Sequence, residues 1–262
     1  MKFIDSHAHY TSGKFTKDRE DLLRSLFDTD LSYIIECGTN TEYNKKAIDL
    51  ASKFPNLYAV IGYFPVDTKD LEKDNGLLDR FAALLNNEKV IAIGEIGLDY
   101  HHEKRWEDIK RQKKWFVEQL KLAKKLNLPV CIHSREAEED TMQILKNNGK
   151  YKGVMHCYSY GVKTMQELVK LGYYFGVGGT VTYKNNVEVR KAVKLMPMDR
   201  ILLETDSPYL TPEPNRRQRN DSSRIKDVIR ELSALKGVSA EKIIKQTNEN
   251  CMTVYPKLKG LI

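Results

Sequence analysis

The 262-residue sequence has no apolar run approaching the roughly 18–20 residues that cross a bilayer. Its opening residues, Met1-Lys2-Phe3-Ile4-Asp5-Ser6-His7, hold no hydrophobic stretch of the secretory type, so a soluble cytoplasmic protein without a membrane partner is expected. Cysteine is scarce, and Cys37, Cys131, Cys157 and Cys251 form no Cys-x-x-Cys pair. The first three lie in or beside apolar strand-like runs, which favours buried thiols over disulfides or structural zinc. No Gly-x-Gly-x-x-Gly follows the first strand-like run, and a dinucleotide-binding fold loses its main support. Low-complexity linkers are also missing, so residues 1–262 read as one domain.

Hydrophobic residues make up 41% of the chain and charged ones 30%, which excludes a disordered or collagen-like polymer. The net charge of +7 permits an anionic partner. Residues 101–125, however, carry nine Lys/Arg against four acids, and a solvated helix face explains that excess. No aromatic-interleaved basic ribbon is present, so any DNA contact is expected to be weakly sequence-specific. A monomer is favoured.

Eight runs rich in Val, Ile, Tyr and Leu begin near Phe3, Tyr33, Tyr58, Val90, Pro129, Gly153, Tyr173 and Arg200 and read as strands. Amphipathic segments alternate with them at Asp18–Phe27, Asn44–Phe54, Arg105–Leu126, Thr164–Leu171 and Val187–Met196. Two final helices are expected at Ser222–Lys236 and Ala240–Asn250, within about 222–250. Strand–helix alternation implies a parallel sheet, and eight units in this length fit an α/β fold of the (β/α)8 TIM-barrel type.

The first strand ends in Asp5-Ser6-His7-Ala8-His9, whose two imidazoles share a face because they stand two residues apart on a strand. Glu95 is read at the end of the fourth strand, His133 of the fifth, His156 of the sixth and Asp206 of the eighth. Four of the six histidines thus fall where barrel enzymes collect their active sites. Alone, His133 or His156 would read as a satisfied core histidine, and Asp206 before Ser207-Pro208 as a turn residue. An unpaired Glu95 would be expensive to bury, and the set together reads as a metal site. Six donors exceed one ion's need, so two divalent ions are expected, with Mg, Mn and Zn all open. His7, His9, Glu95 and Asp206 are assigned to one ion, and Glu95, His133 and His156 to the other, with Glu95 as bridge. Two ions roughly 3.5–4 Å apart can hold a bridging hydroxide, so the reaction class is metal-assisted hydrolysis with Asp206 as proton acceptor.

Five motifs carry a resemblance: Asp-Ser-His-Ala-His at 5–9, Gly-Glu-Ile-Gly-Leu-Asp-Tyr at 94–100, Ile-His-Ser-Arg at 132–135, His-Cys-Tyr-Ser at 156–159 and Glu-Thr-Asp-Ser-Pro-Tyr-Leu at 204–210. With them, Phe3 to Ile262 resembles the TatD family of metal-dependent deoxyribonucleases. The resemblance implies a (β/α)8 barrel, a divalent-metal site on the same six residues, and hydrolysis of DNA phosphodiesters, often as a 3′–5′ exonuclease. Two segments depart from the family pattern. Gly62-Tyr63-Phe64-Pro65 stands where the family has Gly-x-His-Pro, and Phe64 can neither donate to a phosphate nor relay a proton. Arg216-Arg217-Gln218-Arg219-Asn220-Asp221 replaces Arg-Gly-x-Arg-Asn-x-Pro, which points to a differently shaped loop. Arg135, Lys184 and Arg219 are the candidate substrate contacts, while His101 and His102 read as ordinary exposed histidines. A metal-dependent hydrolase of a small ester, lactone or cyclic amide is the alternative enzyme. A non-catalytic nucleic-acid-binding barrel is the alternative of another class.

Overall fold

Short runs of β-branched and aromatic residues, buried on both faces, form eight strands. They are β1 (Phe3–Ala8), β2 (Leu31–Cys37), β3 (Leu57–Ile61), β4 (Val90–Asp99), β5 (Val130–Arg135), β6 (Gly153–Met155), β7 (Tyr174–Val177) and β8 (Ile201–Leu203). The computed structural model describes residues 1–74 and 76–258; position 75 and the end of the expected 1–262 unit, 259–262, lie outside the described residues. Each strand pairs in parallel with the next in sequence order. One parallel bridge, Ala8 to Ser207, brings the segment after β8 back to β1. Beside it His9 N–H donates to the Ser207 carbonyl at 2.7 Å and Asp206 N–H to the His7 carbonyl at 2.9 Å. The result is the expected single-domain TIM barrel, nearly closed.

Ten helices fill the connections among the described residues: α1 (Arg19–Phe27), α2 (Thr41–Lys53), α3 (Lys69–Lys73), α4 (Leu77–Leu84), α5 (Trp106–Leu126), α6 (Glu138–Asn147), α7 (Val162–Leu171), α8 (Val187–Leu195), α9 (Ile225–Lys236) and α10 (Ala240–Val254). The α3, α4 and α6 segments were not among the expected helices. The first two are short, and α6 opens on three acids with only Thr141, Met142 and Leu145 buried. Strand residues alternate between two cores. Ile4, Ile35, Val60, Ala92, Cys131, Val154, Tyr174 and Leu202 supply one inner cluster from all eight strands, while Phe3, Ile34, Ala59 and Ile93 face the helices. The end of α10 joins that inner cluster through Cys251, Val254 and Tyr255. Its Asn250 amide donates to the Ile201 carbonyl and its Asn248 amide to the Lys2 carbonyl, both at 2.8 Å, so this helix seals the end opposite the strand C-termini.

Helix α5 buries two glutamines among its apolar residues. Gln112 Oε1 accepts from Asp99 N–H at 2.8 Å while its Nε2 donates to the Asp99 carbonyl at 3.1 Å. Gln119 repeats this on Tyr63, at 2.8 and 3.1 Å. Seven residues apart, they lie on one helix face and satisfy two buried peptides, fixing the chain at the open end of the barrel.

Candidate metal centre

The pairing of β1 with the segment after β8 sets His7, His9 and Asp206 side by side. Asp206 adopts φ +56°, an uncommon conformation for a non-glycine residue, which its N–H bond to His7 helps to hold. Glu95 is not at the end of its strand: β4 continues four residues further, to Asp99. Against β5, Ile93 pairs with Val130 and Ile96 with Ile132, so β4 carries one extra residue there. Such a bulge re-aims a side chain, here the Glu95 carboxylate. Further along, Gly97 pairs with His133 at φ +143°, where an added Cβ would meet the His133 carbonyl oxygen at 1.9 Å. Only glycine fits this close approach. His156 follows β6 and donates its N–H to the Ile132 carbonyl at 3.0 Å.

The six candidate ligands converge at the barrel mouth. Glu95 divides them between its two oxygens. Oε2 lies 3.5 Å from His7 Nε2 and 3.6 Å from His9 Nε2. Oε1 lies 2.8 Å from His133 Nδ1 and 3.2 Å from His156 Nε2. Asp206 Oδ1 completes the first group, 3.6 Å from His7 Nε2 and 3.3 Å from His9 Nε2. Ligand atoms about 2.0–2.2 Å from a tetrahedral ion stand about 3.3–3.6 Å apart, which the spacings of the first group match, while those around Oε1 are shorter, at 2.8 and 3.2 Å.

Each imidazole also turns its other nitrogen to a partner. His9 Nδ1 meets the Cys37 carbonyl at 2.9 Å. A carbonyl only accepts, so Nδ1 carries the hydrogen and the neutral ring presents a bare Nε2 to the cluster. That Nε2 stands 3.1 Å from His7 Nε2, a contact that a shared cation relieves. His133 Nε2 meets the Asp99 carboxylate at 3.0 Å, leaving Nδ1 for the cluster. His7 Nδ1 sits between the thiols of Cys37 and Cys131, at 3.3 and 3.4 Å. His156 Nδ1 faces Glu204 Oε1 at 3.4 Å without a hydrogen bond. Burial would raise the Glu95 pKa, but His156, His133 and His7 outweigh it and hold the carboxyl well below its ordinary range. Burial would likewise lower His133 and His156, yet Asp99 and Glu95 on the first, and Glu95 and Glu204 on the second, raise both. The donor set therefore fits divalent cations, which would take the place of those protons.

Asp99, Glu204, Cys37 and Cys131 were given no role from sequence. Two of them stand close to candidate ligands in sequence: Glu204 is two residues before Asp206, just past the end of β8, and Asp99 ends the strand that holds Glu95. Asp99 also binds His102, whose Nδ1 lies 2.9 Å from Oδ2. Exposed His102 is thus tied to the site, while His101 pairs with Glu136 at 2.6 Å. The Asp5 carboxylate accepts from Thr205 and Ser222 hydroxyls, each at 2.6 Å, and so joins β1 to the β8 loop.

The three candidate substrate residues fare differently. Arg135 is exposed, lines the cleft over the cluster, and makes no ion pair among the described residues. Lys184 is exposed but does not line that cleft. Arg219 does not line that cleft, and its guanidinium binds Asp18 at 2.5 and 2.8 Å and the Lys14 carbonyl at 2.9 Å, over the Phe15 ring. Its donor fork is spent on the loop after β1, and what it positions there is Lys14.

Residues 4–256 match the family model described as TatD related DNase. The chain belongs to this family. Members are metal-dependent hydrolases, and relatives match end to end. The chain is 37% identical over 255 residues to the protein named uncharacterized metal-dependent hydrolase YabD of Bacillus subtilis (strain 168), covering 96% of this chain and 98% of that one. It is 30% identical over 260 residues to the 3′-5′ ssDNA/RNA exonuclease TatD of Escherichia coli (strain K12), with 96% and 98% covered. The crystal structure of YjjV, a TatD homologue from Escherichia coli K12, superposes with a TM-score of 0.88 at 32% identity, covering 97% of this chain and 98% of that one. Among the described residues, no helix is long and apolar enough to cross a membrane.

Proposed function

We propose that the protein hydrolyses phosphodiester bonds at the ends of nucleic-acid strands, as a 3′–5′ exonuclease, with two divalent cations. The observation that carries this reading is the division of the donors between the two oxygens of Glu95. His7, His9, Glu95 Oε2 and Asp206 would hold one cation, and Glu95 Oε1, His133 and His156 the other. Bound cations of this kind supply Lewis acidity to phosphoryl oxygens and make water acidic enough to attack near neutral pH. The remaining work belongs to the chain. Asp206 keeps part of its carboxylate open to the cleft, with 16% side-chain exposure, and there it orients the attacking water and accepts its proton. Its pKa lies below the ordinary range, because His9, His156 and His7 outweigh the effect of burial, so it is free of a proton at neutral pH. The outward nitrogens of His9 and His133 are fixed by Cys37 and Asp99, so the groups around the phosphate need no reordering during reaction. Arg135 supplies an uncommitted cation at the rim for an adjacent phosphate.

A cleft of about 730 Å³ overlies the cluster, within the roughly 300–1,000 Å³ of small-ligand sites. It suits one or two nucleotides better than a duplex. The relative named as a 3′-5′ ssDNA/RNA exonuclease supports the same direction of attack. The test incubates the protein with 3′- and 5′-labelled single- and double-stranded DNA and single-stranded RNA, with Mg²⁺, Mn²⁺ or EDTA. Metal-dependent shortening from the 3′ end is expected. No cleavage of any substrate rejects the nuclease reading and turns attention to small esters, lactones and cyclic amides.

A further inference from the structure

Two aromatic rings flank the cluster, one beside each group of ligands. Phe64, half-buried in the cleft wall, meets His133 of the Oε1 group with ring centroids 4.6 Å apart and planes at 60°. Its backbone is held on both sides: its N–H donates to the Thr39 carbonyl at 2.8 Å and its carbonyl accepts from Asp67 N–H at 2.9 Å. The preceding residue, Tyr63, is the one clamped by Gln119, and Pro65 follows. Tyr209 stands beside His9 of the Oε2 group, ring centroids 6.4 Å apart, and is 45% exposed. It too is anchored through its backbone, by N–H to the Asp206 carbonyl at 2.9 Å and by the Asn220 amide on its own carbonyl at 2.7 Å. Lys14 lies over this ring at 4.5 Å, on the loop that Arg219 holds.

Phe64 has no group to donate to a phosphate, and the exposed Tyr209 presents its ring beside the cluster. They are well suited to the π-face of a base, which every nucleotide offers. Resting on the proposed hydrolysis of nucleic acid, we propose that Phe64 and Tyr209 are two base-stacking platforms on either side of the scissile phosphate. One base stacks on each ring, and Lys14 holds the phosphate beside Tyr209. Bases taken up in this way must leave their own stack and their pairing partners, so the platforms select single strands without reading sequence. The departure at Phe64 then replaces a polar contact with a stacking one.

The experiment uses metal-loaded protein and single-stranded DNA whose last linkage is a non-cleavable methylphosphonate. Fluorescent 2-aminopurine is placed either at the 3′-terminal base or at the base before it, and stacking on an aromatic ring quenches it. Wild-type protein is expected to quench both probes. Phe64→Leu should abolish quenching at one position and Tyr209→Leu at the other, each weakening binding roughly 5- to 150-fold. Phe64→Tyr and Tyr209→Phe should restore both signals, which a merely structural role would not require. On cleavable single strands the Leu variants should raise KM by a similar factor and leave kcat within about threefold. Quenching of both probes by either Leu variant, of neither by the wild type, or failure of the aromatic replacements to restore it overturns the proposal. If wild-type protein shows the stacking pattern but cleaves no unmodified strand, the hydrolytic reading fails while the platforms stand. Cleavage with unchanged quenching in the Leu variants has the opposite meaning.

Discussion

Asp99→Asn perturbs the centre without replacing a candidate ligand. The Asp99 carboxylate is fully buried. Its Oδ2 accepts from His133 Nε2 at 3.0 Å and His102 Nδ1 at 2.9 Å, and its Oδ1 accepts the N–H groups of His101 and His102 at 3.0 and 2.9 Å. Asparagine fills the same volume but offers only one acceptor oxygen. If that oxygen keeps the two backbone N–H groups, the amide NH₂ points at His133 Nε2 and drives the ring hydrogen onto Nδ1, the nitrogen that faces Glu95. If the amide flips, the two backbone bonds are lost instead. The first arrangement opposes a cation on His133 and the second gives up the backbone bonds that hold the Asp99 loop, and loss of such an outer partner typically weakens metal binding about 10- to 100-fold, or roughly 1.4–2.7 kcal/mol. Calorimetric titration of metal-free protein with Mn²⁺ or Zn²⁺ reads this directly. An affinity within threefold of wild type at every site would refute the tautomer argument. The same substitution has a pH signature. Burial would raise the Asp99 pKa, but its bonds to His133 and His102 outweigh this and depress it below the ordinary carboxylate value. A depressed folded-state pKa gives stability that is present above about pH 4 and lost as pH falls further. In EDTA, denaturant melts should therefore show a shallower acid limb for Asp99→Asn than for wild type.

Further outcomes follow from other contacts. Glu95→Gln removes the shared charge, so bound metal measured by elemental analysis should fall at both sites; full retention would show that the bridge is misassigned. Asp206→Asn should lower turnover about 10²- to 10⁴-fold while the metal held by Glu95, His133 and His156 remains, and a near-normal rate would remove Asp206 as proton acceptor. Gln119→Leu leaves the buried Tyr63 N–H and carbonyl unpaired, at about 1–3 kcal/mol each. At roughly 2–4 °C per kcal/mol, the combined loss of about 2–6 kcal/mol should lower Tm by about 4–24 °C, and a change under about 2 °C would show that the clamp is not stabilising.

Strand positions were legible because their periodicity is local: expected and observed starts differ by at most two residues, as at Tyr33 against Leu31. His7 and His9 were legible for the same reason, since spacing along a strand fixes a common face. Glu95 was identified but set at the wrong place in its strand, because a bulge depends on the neighbour's register and leaves no mark in its own segment. The partners of the imidazoles were harder. Cys37 and Cys131 look like ordinary core thiols, and only the closed barrel brings them 3.3 and 3.4 Å from His7. The Arg219–Asp18 pair is invisible to local patterns because the partners stand 201 residues apart in sequence. The α5 glutamines do carry a signal, two polar residues seven apart on the face that holds Phe116, Leu120 and Ala123.

In the proposed function Glu95 would join two cation sites, one oxygen to each. Crystals loaded with Mn²⁺ and measured near its absorption edge test it most directly through the anomalous difference map. Two peaks are expected, one among His7, His9, Asp206 and Glu95 Oε2, the other among His133, His156 and Glu95 Oε1. A single peak, or peaks that Glu95 does not touch, would contradict it.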